Sequence, residues 1–577
     1  MLSSLNNRRN FLTVLWICAV LSTLMTLIPL RNTIFSCDDS ISNFVYGRLT
    51  DSHFSFKTTF EFSLMRGKVG ILFPIVITIR DYLYRNGNFV VFWLMQYVPV
   101  YANVLLASYF VSKKLSREAA PLFVILFSSL LQVNGWHSLI TCYPVEFMYG
   151  LFMELIGIIL FDSYLVTPTS RKLSILKMAV SVICFYEAMQ TYEAFLLFGI
   201  VYAFLSFYER DNFKDRIKVL IPHAITGIIY VGIFIYLNIN PVVASNGYNV
   251  TTRGNFGGFI LTDLIFAFGM FPLTNIVFPS IIKGISLKGI NLVTIVASLS
   301  SAAAILLSML KLKAEEINTK KYMHAGIIGL TMALIFPMMH SMTLKYQEWA
   351  IKEHQFGYVP STISYFGWVV FILSLFVIIY CRIITKKPSL KKIAAIVITA
   401  LMFMATLLTC LINDSIKRNG IGPTSQKLSY RAQSMFALAS SDEFSRLNCD
   451  LLYVPDFSGV HGMFIDNEYL IQYETSNDVL INVTNDEAEF LSSLESASSP
   501  LIYRYFYDQD VGVLIVPSDA DTGVALFIVS SHGFNGGISV MTDEGEMRQS
   551  VKLKRGETLE LTGINSFDIN SLVVTTN

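Results

Sequence analysis

The sequence has little charge and few cysteines for its length. Of its 577 residues only 15% are charged and 53% are hydrophobic, whereas soluble domains carry about 25% charged residues. A net charge of +1 leaves no basic excess for binding a polyanion, so nucleic acid is not expected as a partner. The seven cysteines are irregularly spaced, which excludes a disulfide framework or a zinc site. No P-loop, dinucleotide-binding, serine-hydrolase or zinc-protease motif stands out.

Long apolar segments are what the sequence has instead. About eleven of them are long enough to be predicted as membrane-spanning helices, and the first is expected to be retained as an anchor because no cleavage site follows it. We therefore predict an α-helical, multi-pass protein of the cell membrane. The predicted spans are 11–30, 88–111, 120–136, 144–164, 174–189, 191–207, 218–238, 289–310, 323–344, 362–383 and 393–412.

Two further apolar segments are predicted not to span. Segment 259–282 contains Asp263, Pro272 and Pro279, and it is interpreted as a re-entrant or interfacial hairpin on the outer side. Segment 71–84 is amphipathic and short, which predicts a helix lying in the membrane interface.

The basic residues predict the orientation. They form six clusters, which begin at Arg8, Lys113, Arg171, Arg210, Lys311 and Arg382. All six lie on one side if the chain crosses the membrane twice between neighbouring clusters, and this side is the cytoplasm by the positive-inside rule. The longer connections, at 31–87, 239–288 and 345–361, then lie outside. Because binding and catalytic residues concentrate on such connections, function is expected on the outer face.

The C-terminal part of the chain changes its period. From residue 451 onward, short β-branched and aromatic runs alternate with clusters of Gly, Asn, Asp and Ser, a pattern that predicts a β-sandwich. We expect a transmembrane domain at 1–412, a polar linker at 413–447 and a β-rich domain at 448–577. The last span would place this third part outside the cytoplasm.

Asp38 and Asp39 open the first outer connection and are the candidate general base. Burial and mutual repulsion raise the pKa of one of two adjacent carboxylates, which suits proton abstraction. The alternative is a solvated turn or a helix cap, for which Asp-Asp-Ser is equally suitable.

Arg66 and Lys68 flank Gly67 in the same connection and are candidate ligands of a phosphate at the membrane surface. Arg253, beyond the seventh predicted span, is a third candidate cation. The alternative for Arg66 and Lys68 is interfacial snorkelling, in which the charged end of the side chain reaches water.

Polar residues at an outer hairpin tip form the third candidate set. If the helix continues through the tip, Tyr186, Gln190 and Glu193 share one face, and such a group suits sugar hydroxyls. A solvated polar turn is the alternative interpretation. The complete set for sugar or acceptor binding is Tyr186, Glu187, Gln190, Tyr192, Glu193 and, at another outer tip, His137.

This layout resembles the GT-C membrane glycosyltransferases, and in particular bacterial enzymes that modify O-antigen. The resemblance rests on the outer Asp-Asp after the first span, on Arg-Gly-Lys beside an interfacial helix and on the Tyr/Glu/Gln-rich hairpin, and it covers about residues 1–412. It implies an inverting transfer from a polyprenyl-phosphate sugar to a glycan or lipid-linked glycan acceptor. Asp38 or Asp39 would be the base, and Arg66, Lys68 or Arg253 would stabilise the leaving phosphate. No cofactor is implied, and a divalent metal is left open.

Two other functions remain alternatives. A polysaccharide polymerase or ligase also uses lipid-linked sugars, although the early Asp-Asp argues against it. A transporter or flippase of lipid-linked sugars would show inverted repeats and ionisable residues at mid-membrane. No repeat is visible in the sequence, and the charges are expected to gather at the outer tips.

Overall fold

The computed structural model describes most of the chain as helices and strands, in two compact units. The described residues are 8–27, 56–65, 67–86, 89–133, 139–140, 145–167, 170–239, 254–271, 287–311, 317–354, 357, 359–384, 388–419, 449–455, 482–484, 486–506, 509, 511–517, 523–530, 533–554, 557–565 and 569–576.

The first unit is a bundle of α-helices, although residues 81–86, the last part of one of them, are grouped with the second unit. In chain order they are α1 Arg8–Leu27, α2 Phe56–Met65, α3 Leu72–Asn86, α4 Phe89–Lys114, α5 Ala119–Ser129, α6 Glu146–Val166, α7 Arg171–Thr191, α8 Gly199–Glu209, α9 Phe213–Ile239, α10 Phe256–Phe268, α11 Leu292–Lys311, α12 Thr319–Ile335, α13 Met338–Ser341, α14 Leu344–Ile351, α15 Val359–Arg382 and α16 Pro388–Asn419. A 3₁₀ helix, Glu193–Phe198, precedes α8, and another occupies Leu287–Gly289.

Within the described residues, nine helices are long and apolar enough to cross a membrane. The chain is therefore a multi-pass membrane protein, and every predicted span coincides with a helix. Two of the expected spans differ in length. Segment 120–136 is only the 11-residue α5, and segment 191–207 is a 3₁₀ helix followed by the 11-residue α8. All eleven residues of α5 are buried, so protein surrounds this helix and no lipid thickness fixes its length.

The two predicted non-spanning segments also form short helices. α3 has 15 residues and α10 has 13, and a 13-residue helix is too short to cross a bilayer. Residues 272–282 of the expected hairpin lie outside the described part of the chain. α16 continues to Asn419, into the segment expected to be a linker.

Small and hydroxyl residues hold the spanning helices together, as is usual in membranes. Gly329 on α12 and Gly367 on α15 meet so closely that an added Cβ on Gly367 would lie 2.5 Å from the Gly329 carbonyl oxygen. Hydroxyl groups of Ser301 on α11 and Thr406 on α16 lie 2.8 Å apart. These contacts replace the hydrophobic driving force that lipid cannot supply.

Charged contacts define one end of the bundle. Arg8 at the start of α1 pairs with Glu118 at 2.6 Å, and Lys114 at the end of α4 pairs with Glu209 at 2.7 Å and with Asp162. These residues belong to or adjoin the predicted cytoplasmic clusters, and we call this the basic end. The opposite end of the bundle contains the tip between α7 and α8.

The second unit is rich in β-strands. Its strands are β1 Leu451–Tyr453, β2 Asn482–Thr484, β3 Pro500–Phe506, β4 Val511–Pro517, β5 Gly523–Val529, β6 Phe534–Thr542, β7 Gly545–Leu553, β8 Thr558–Asn565 and β9 Val573–Thr576, with helix α17 Glu487–Ser493 after β2. One sheet has the order β2-β1-β3-β4-β5-β8 and the other β7-β6-β9.

The two sheets share one hydrophobic core. Val513 and Ile528 of the larger sheet pack in the same cluster as Ile538 and Val551 of the smaller one, as in the predicted sandwich. The larger sheet is mixed, because β1 pairs in parallel with both β2 and β3. Strands that run in the same direction need a long crossover rather than a hairpin, and α17 is part of the crossover from β2 to β3.

Candidate functional site

Gly67 ends helix α2 and sets the direction of the chain that follows. It has a φ of 74°, its N–H donates to the Leu64 carbonyl oxygen, and the N–H of Lys68 donates to that of Ser63, both at 2.9 Å. This pair of bonds is the Schellman motif, which favours glycine in the left-handed conformation. The glycine between the two cations of the sequence motif is therefore a helix cap, and Lys68 is the first residue beyond it.

Lys68 is buried at the end of the bundle opposite the basic end. Only 7% of its surface is exposed. Its Nζ donates to the Thr191 carbonyl oxygen at 2.7 Å and lies 3.4 Å from Oε1 of Glu193. A snorkelling lysine keeps its ammonium group in water, so that alternative does not describe Lys68. The side chain is instead a fixed cation that joins two distant parts of the sequence.

The tip of α7 contacts the segment that carries Lys68. Tyr186 donates its hydroxyl hydrogen to the Val69 carbonyl oxygen at 2.6 Å. Gln190 packs on Gly70, where an added Cβ would lie 2.6 Å from Gln190 Cγ. Glu187 is 6% exposed, and its carboxylate faces the backbone N–H groups at the start of α3, where the helix dipole favours a negative charge.

The helix does not continue through the tip. Tyr192 has φ −156° and ψ 132°, an extended conformation that ends α7 at Thr191. Glu193 begins the 3₁₀ helix instead, so the condition for a common helical face of Tyr186, Gln190 and Glu193 is not met. The three residues are nevertheless close to one segment, since Tyr186 and Gln190 contact residues 69–70 and Glu193 pairs with Lys68.

We call the place where the tip of α7 contacts residues 67–71 the tip cluster. Four polar atoms around it are buried and have no hydrogen-bond partner within the described residues. Tyr149 adjoins Glu187, and Tyr230 adjoins Tyr186 and Glu193. Proteins rarely leave buried polar groups unpaired. Hydroxyl, amide and carboxylate groups are also the ones that hydrogen-bond a sugar. The four atoms are Tyr149 Oη, Glu187 Oε2, Gln190 Oε1 and Tyr230 Oη.

Tyr192 connects the tip to a neighbouring aromatic cluster. Its hydroxyl lies 3.0 Å from Nδ1 of His340 on α13, and its ring packs against Phe147 and Phe336. The His340 ring also contacts Tyr346 on α14, at 4.8 Å between centroids. Tyr192 therefore belongs to the same end of the bundle as Lys68 but points to a different set of helices.

α10, α13 and α14 form a small platform beside this aromatic cluster. Gln347 accepts from the Asn255 N–H at 3.1 Å, and its Nε2 donates to the carbonyl oxygens of Asn255 and Ser341 at 3.0 and 2.9 Å. Burial raises the pKa of Asp263 on α10 to about 7, and a hydrogen bond with Ser341 opposes this shift. With that pKa, the carboxyl group gains and loses its proton near neutral pH.

A second polar cluster lies halfway along the bundle and was not predicted. Ser181 donates to the Gly157 carbonyl oxygen at 2.8 Å, and its oxygen lies 3.0 Å from Nε2 of His223. Because the Ser181 hydroxyl hydrogen points to Gly157, the Ser181 oxygen accepts a hydrogen bond from the Nε2–H of His223. Glu154 is fully buried beside the hydroxyl of Tyr202. Glu154 and His223 interrupt apolar runs of the sequence, a signal that usually marks function in membranes.

Five candidate residues lie outside the described part of the chain: Asp38, Asp39, Arg66, His137 and Arg253. The structure thus brings together Lys68, Tyr186, Glu187, Gln190 and Glu193, and it places Tyr192 next to them. Within the described residues, no group of three or more His, Cys, Asp or Glu side chains is arranged to hold a metal ion.

The chain has few detectable similarities to known proteins. No family model matches it and no curated protein matches its sequence. Among solved structures it is similar to the crystal structure of ArnT from Cupriavidus metallidurans in the apo state. The TM-score is 0.35 and the sequence identity 10%, over 85% of this chain and 92% of that one. A similarity of that size leaves the function to be argued from the residues of the site.

Proposed function

We propose that the protein is an inverting glycosyltransferase that moves a sugar from a polyprenyl-phosphate donor to a cell-envelope glycan. The observation that carries the proposal is Lys68, a buried lysine whose ammonium group contacts the tip of α7. At the end of a membrane bundle, where a lipid-linked sugar would present its phosphate and its sugar, a fixed cation lies together with polar groups that have no hydrogen-bond partner within the described residues. The acceptor is a glycan or a lipid-linked glycan.

The reaction needs a base, an electrophile and a stabilised leaving group. In the proposal, Asp38 or Asp39 removes the proton from an acceptor hydroxyl as that oxygen attacks the anomeric carbon. The bond to the phosphate oxygen breaks on the opposite face through an oxocarbenium-like transition state. The electron pair leaves with the polyprenyl phosphate, and the product has inverted configuration. Phosphate is a good leaving group, so no strong general acid is required.

The leaving phosphate is stabilised by cations in a site with little water. Lys68 supports this role because its ammonium group is held in place before the donor arrives. Its ion pair with Glu193 weakens its attraction for a phosphate, so Arg66 and Arg253 are proposed to share the charge. Glu193 then also orients Lys68.

The sugar and the acceptor are proposed to bind at the tip cluster. Gln190 and Glu187 each have a buried oxygen without a partner among the described residues, so both are suited to accept from sugar hydroxyls. Tyr186 orients the segment that carries Lys68, and Tyr192 offers an aromatic face. His137 is proposed to contribute from the neighbouring connection. The whole site, with the β-rich unit, is proposed to lie outside the cytoplasm.

A transfer assay tests the proposal. Purified full-length protein would be incubated with several radiolabelled polyprenyl-phosphate sugars, and released or transferred sugar would be separated by chromatography. We expect turnover with at least one donor, a decrease of about 10- to 100-fold in Lys68→Met, and unchanged turnover in Lys352→Met, a lysine 72% exposed at the side chain. No release or transfer with any donor would overturn the proposal.

A transporter of lipid-linked sugars is the second candidate, and one observation favours it. Glu154 and His223 lie at mid-membrane, where carriers place ionisable groups. One variant, Glu154→Gln, distinguishes the two functions. Glu154→Gln should abolish flipping of a fluorescent lipid-linked sugar in proteoliposomes if the protein is a transporter, but it should leave transfer intact if the protein is an enzyme.

A further inference from the structure

A cavity of about 340 Å³ lies between α1 and α4 near the basic end of the bundle. Trp16 of α1, Tyr109 and Ser112 of α4, and Arg117 after α4 line it. With a rise of 1.5 Å per residue, Trp16 is about 12 Å and Tyr109 about 8 Å from the ends of their helices. The cavity therefore extends from the charged end into the apolar part of the bundle.

The basic side chains at this end differ in whether they pair with an acidic residue. Arg8 is paired with Glu118, and Lys114 is paired with Asp162 and Glu209. Arg117, by contrast, is exposed and has no hydrogen bond or ion pair with any residue that the structure describes. The nearby Lys113 lies 5.4 Å from the centre of the Tyr109 ring, over its face. The mouth of the cavity thus has an excess of positive charge.

The apolar part of the cavity continues into two exposed stripes. On α1, Ile17 and Val20 are each 52% exposed, and on α4, Leu105 is 58% and Tyr109 48% exposed. In a membrane these surfaces face acyl chains. A groove that is cationic with a hydroxyl at its mouth and apolar along its length matches a phospholipid, which is a phosphate followed by hydrocarbon.

We propose that this cavity binds an anionic phospholipid, with its phosphate at Arg117 and Ser112 and an acyl chain along Trp16 and Tyr109. Arginine is suited to this because its guanidinium group gives two parallel hydrogen bonds to phosphate oxygens. The Ser112 hydroxyl adds one donor. If the basic end is cytoplasmic, as the loop charges predict, the lipid belongs to the inner leaflet, where anionic lipids attract basic segments.

The test is lipid binding by full-length protein in detergent. Native mass spectrometry would give apparent dissociation constants for dioleoyl-phosphatidylglycerol and dioleoyl-phosphatidylcholine. We expect preference for the glycerol lipid and a weakening of about tenfold or more in Arg117→Gln, as for the loss of a charge-assisted contact. Ser112→Ala should weaken binding less. Arg382→Gln, which removes the same charge from the same end but outside the cavity, should have no effect.

Two results would overturn the proposal. One is equal binding of both lipids, or binding unchanged by Arg117→Gln. The other is competition by inorganic phosphate at the same concentration as the lipid, which would show a simple anion site that does not use the apolar groove. Arg117→Lys guards against misfolding, because it keeps the charge and should retain more binding than Arg117→Gln.

Discussion

The Nζ atom of Lys68 donates to the backbone carbonyl oxygen of Thr191, at 2.7 Å, across a separation of 123 residues. The acceptor lies at the C-terminal end of α7, where backbone carbonyl groups lack partners within the helix. The negative end of the helix dipole also favours a cation there. One side chain thus satisfies an orphan acceptor, balances Glu193 and fixes the Gly67–Ile71 segment to the tip.

Lys68→Met should lower donor use by about 10- to 100-fold, because a hydrogen bond to a charged group contributes about 1.5–3 kcal/mol. It should also lower the melting temperature, since Glu193 would lose its partner. The double variant Lys68→Met/Glu193→Met separates these effects. We expect it to recover stability but not transfer, measured by thermal unfolding and the radiolabel assay. Recovery of both stability and transfer would show that the only role of Lys68 is its ion pair with Glu193.

Asp38→Asn or Asp39→Asn should remove most of the activity. Asparagine keeps the shape but cannot accept the proton, and general-base catalysis contributes about 10²- to 10⁴-fold. Only one of the two is expected to be the base, and replacing the other should lower transfer activity less. Asp51→Asn, in the same connection, is the matched control and should remain active. If both variants keep near-full transfer, the base lies elsewhere, and Glu187 or Glu193 would be the next residues to test.

Gly157→Ala should destabilise the protein. The new methyl group would lie 2.5 Å from Tyr202 Oη, and overpacking of this kind costs about 1–3 kcal/mol. Adding Tyr202→Phe removes the hydroxyl and should restore much of the melting temperature. Gly232→Ala, where nothing lies within 4 Å of the added carbon, should not destabilise the protein, because alanine favours the helix more than glycine does. A Gly157→Ala protein as stable as the parent would contradict the packing of α6 against α8.

Asp263 should make stability depend on pH. Burial raises the pKa of Asp263 to about 7 from the ordinary 3.8. As pH rises from about 4 to 7, the unfolded chain loses this proton while the folded protein keeps it, so stability falls through that window. Asp263→Asn should therefore raise the melting temperature at pH 8 more than at pH 4.5, and Glu348→Gln should not. An equal effect at both pH values would show that Asp263 is ionised in the folded protein.

The orientation is tested by fusions at the C-terminus. Because the basic clusters predict a cytoplasmic N-terminus and an outer β-rich unit, an alkaline phosphatase fusion should be active and a green fluorescent fusion dark. The same reporters placed after Lys172 should give the opposite pattern. An inactive phosphatase fusion and a bright fluorescent fusion at the C-terminus would overturn the predicted topology.

Periodicity and hydropathy were sufficient for much of this fold. The spans, the short helices α3 and α10 and most strands are encoded locally, because lipid and a half-buried sheet each impose a simple pattern. The length of α5 was not predictable, since its burial among other helices depends on residues far away in sequence.

The candidate site was partly predictable for the same reason. Polar residues at the tip of α7 stand out within apolar sequence, so Glu187 and Gln190 were identified. Their partner segment was not, because the contact between Tyr186 and Val69 depends on the cap at Gly67 and on tertiary packing. The break at Tyr192 has no Gly or Pro to mark it, and Asp263 was singled out only as a reason against a span.

The contact between Gly329 and Gly367 limits how the bundle can move. Side chains at most helix interfaces can change rotamer as helices slide, but here backbone lies directly on backbone and has nothing to rearrange. We therefore expect α12 and α15 to shift together. Under the proposed function, we expect the opening that admits a lipid-linked sugar to occur along other helix interfaces, such as those of the short helices α10 and α14, which no bilayer thickness holds in place.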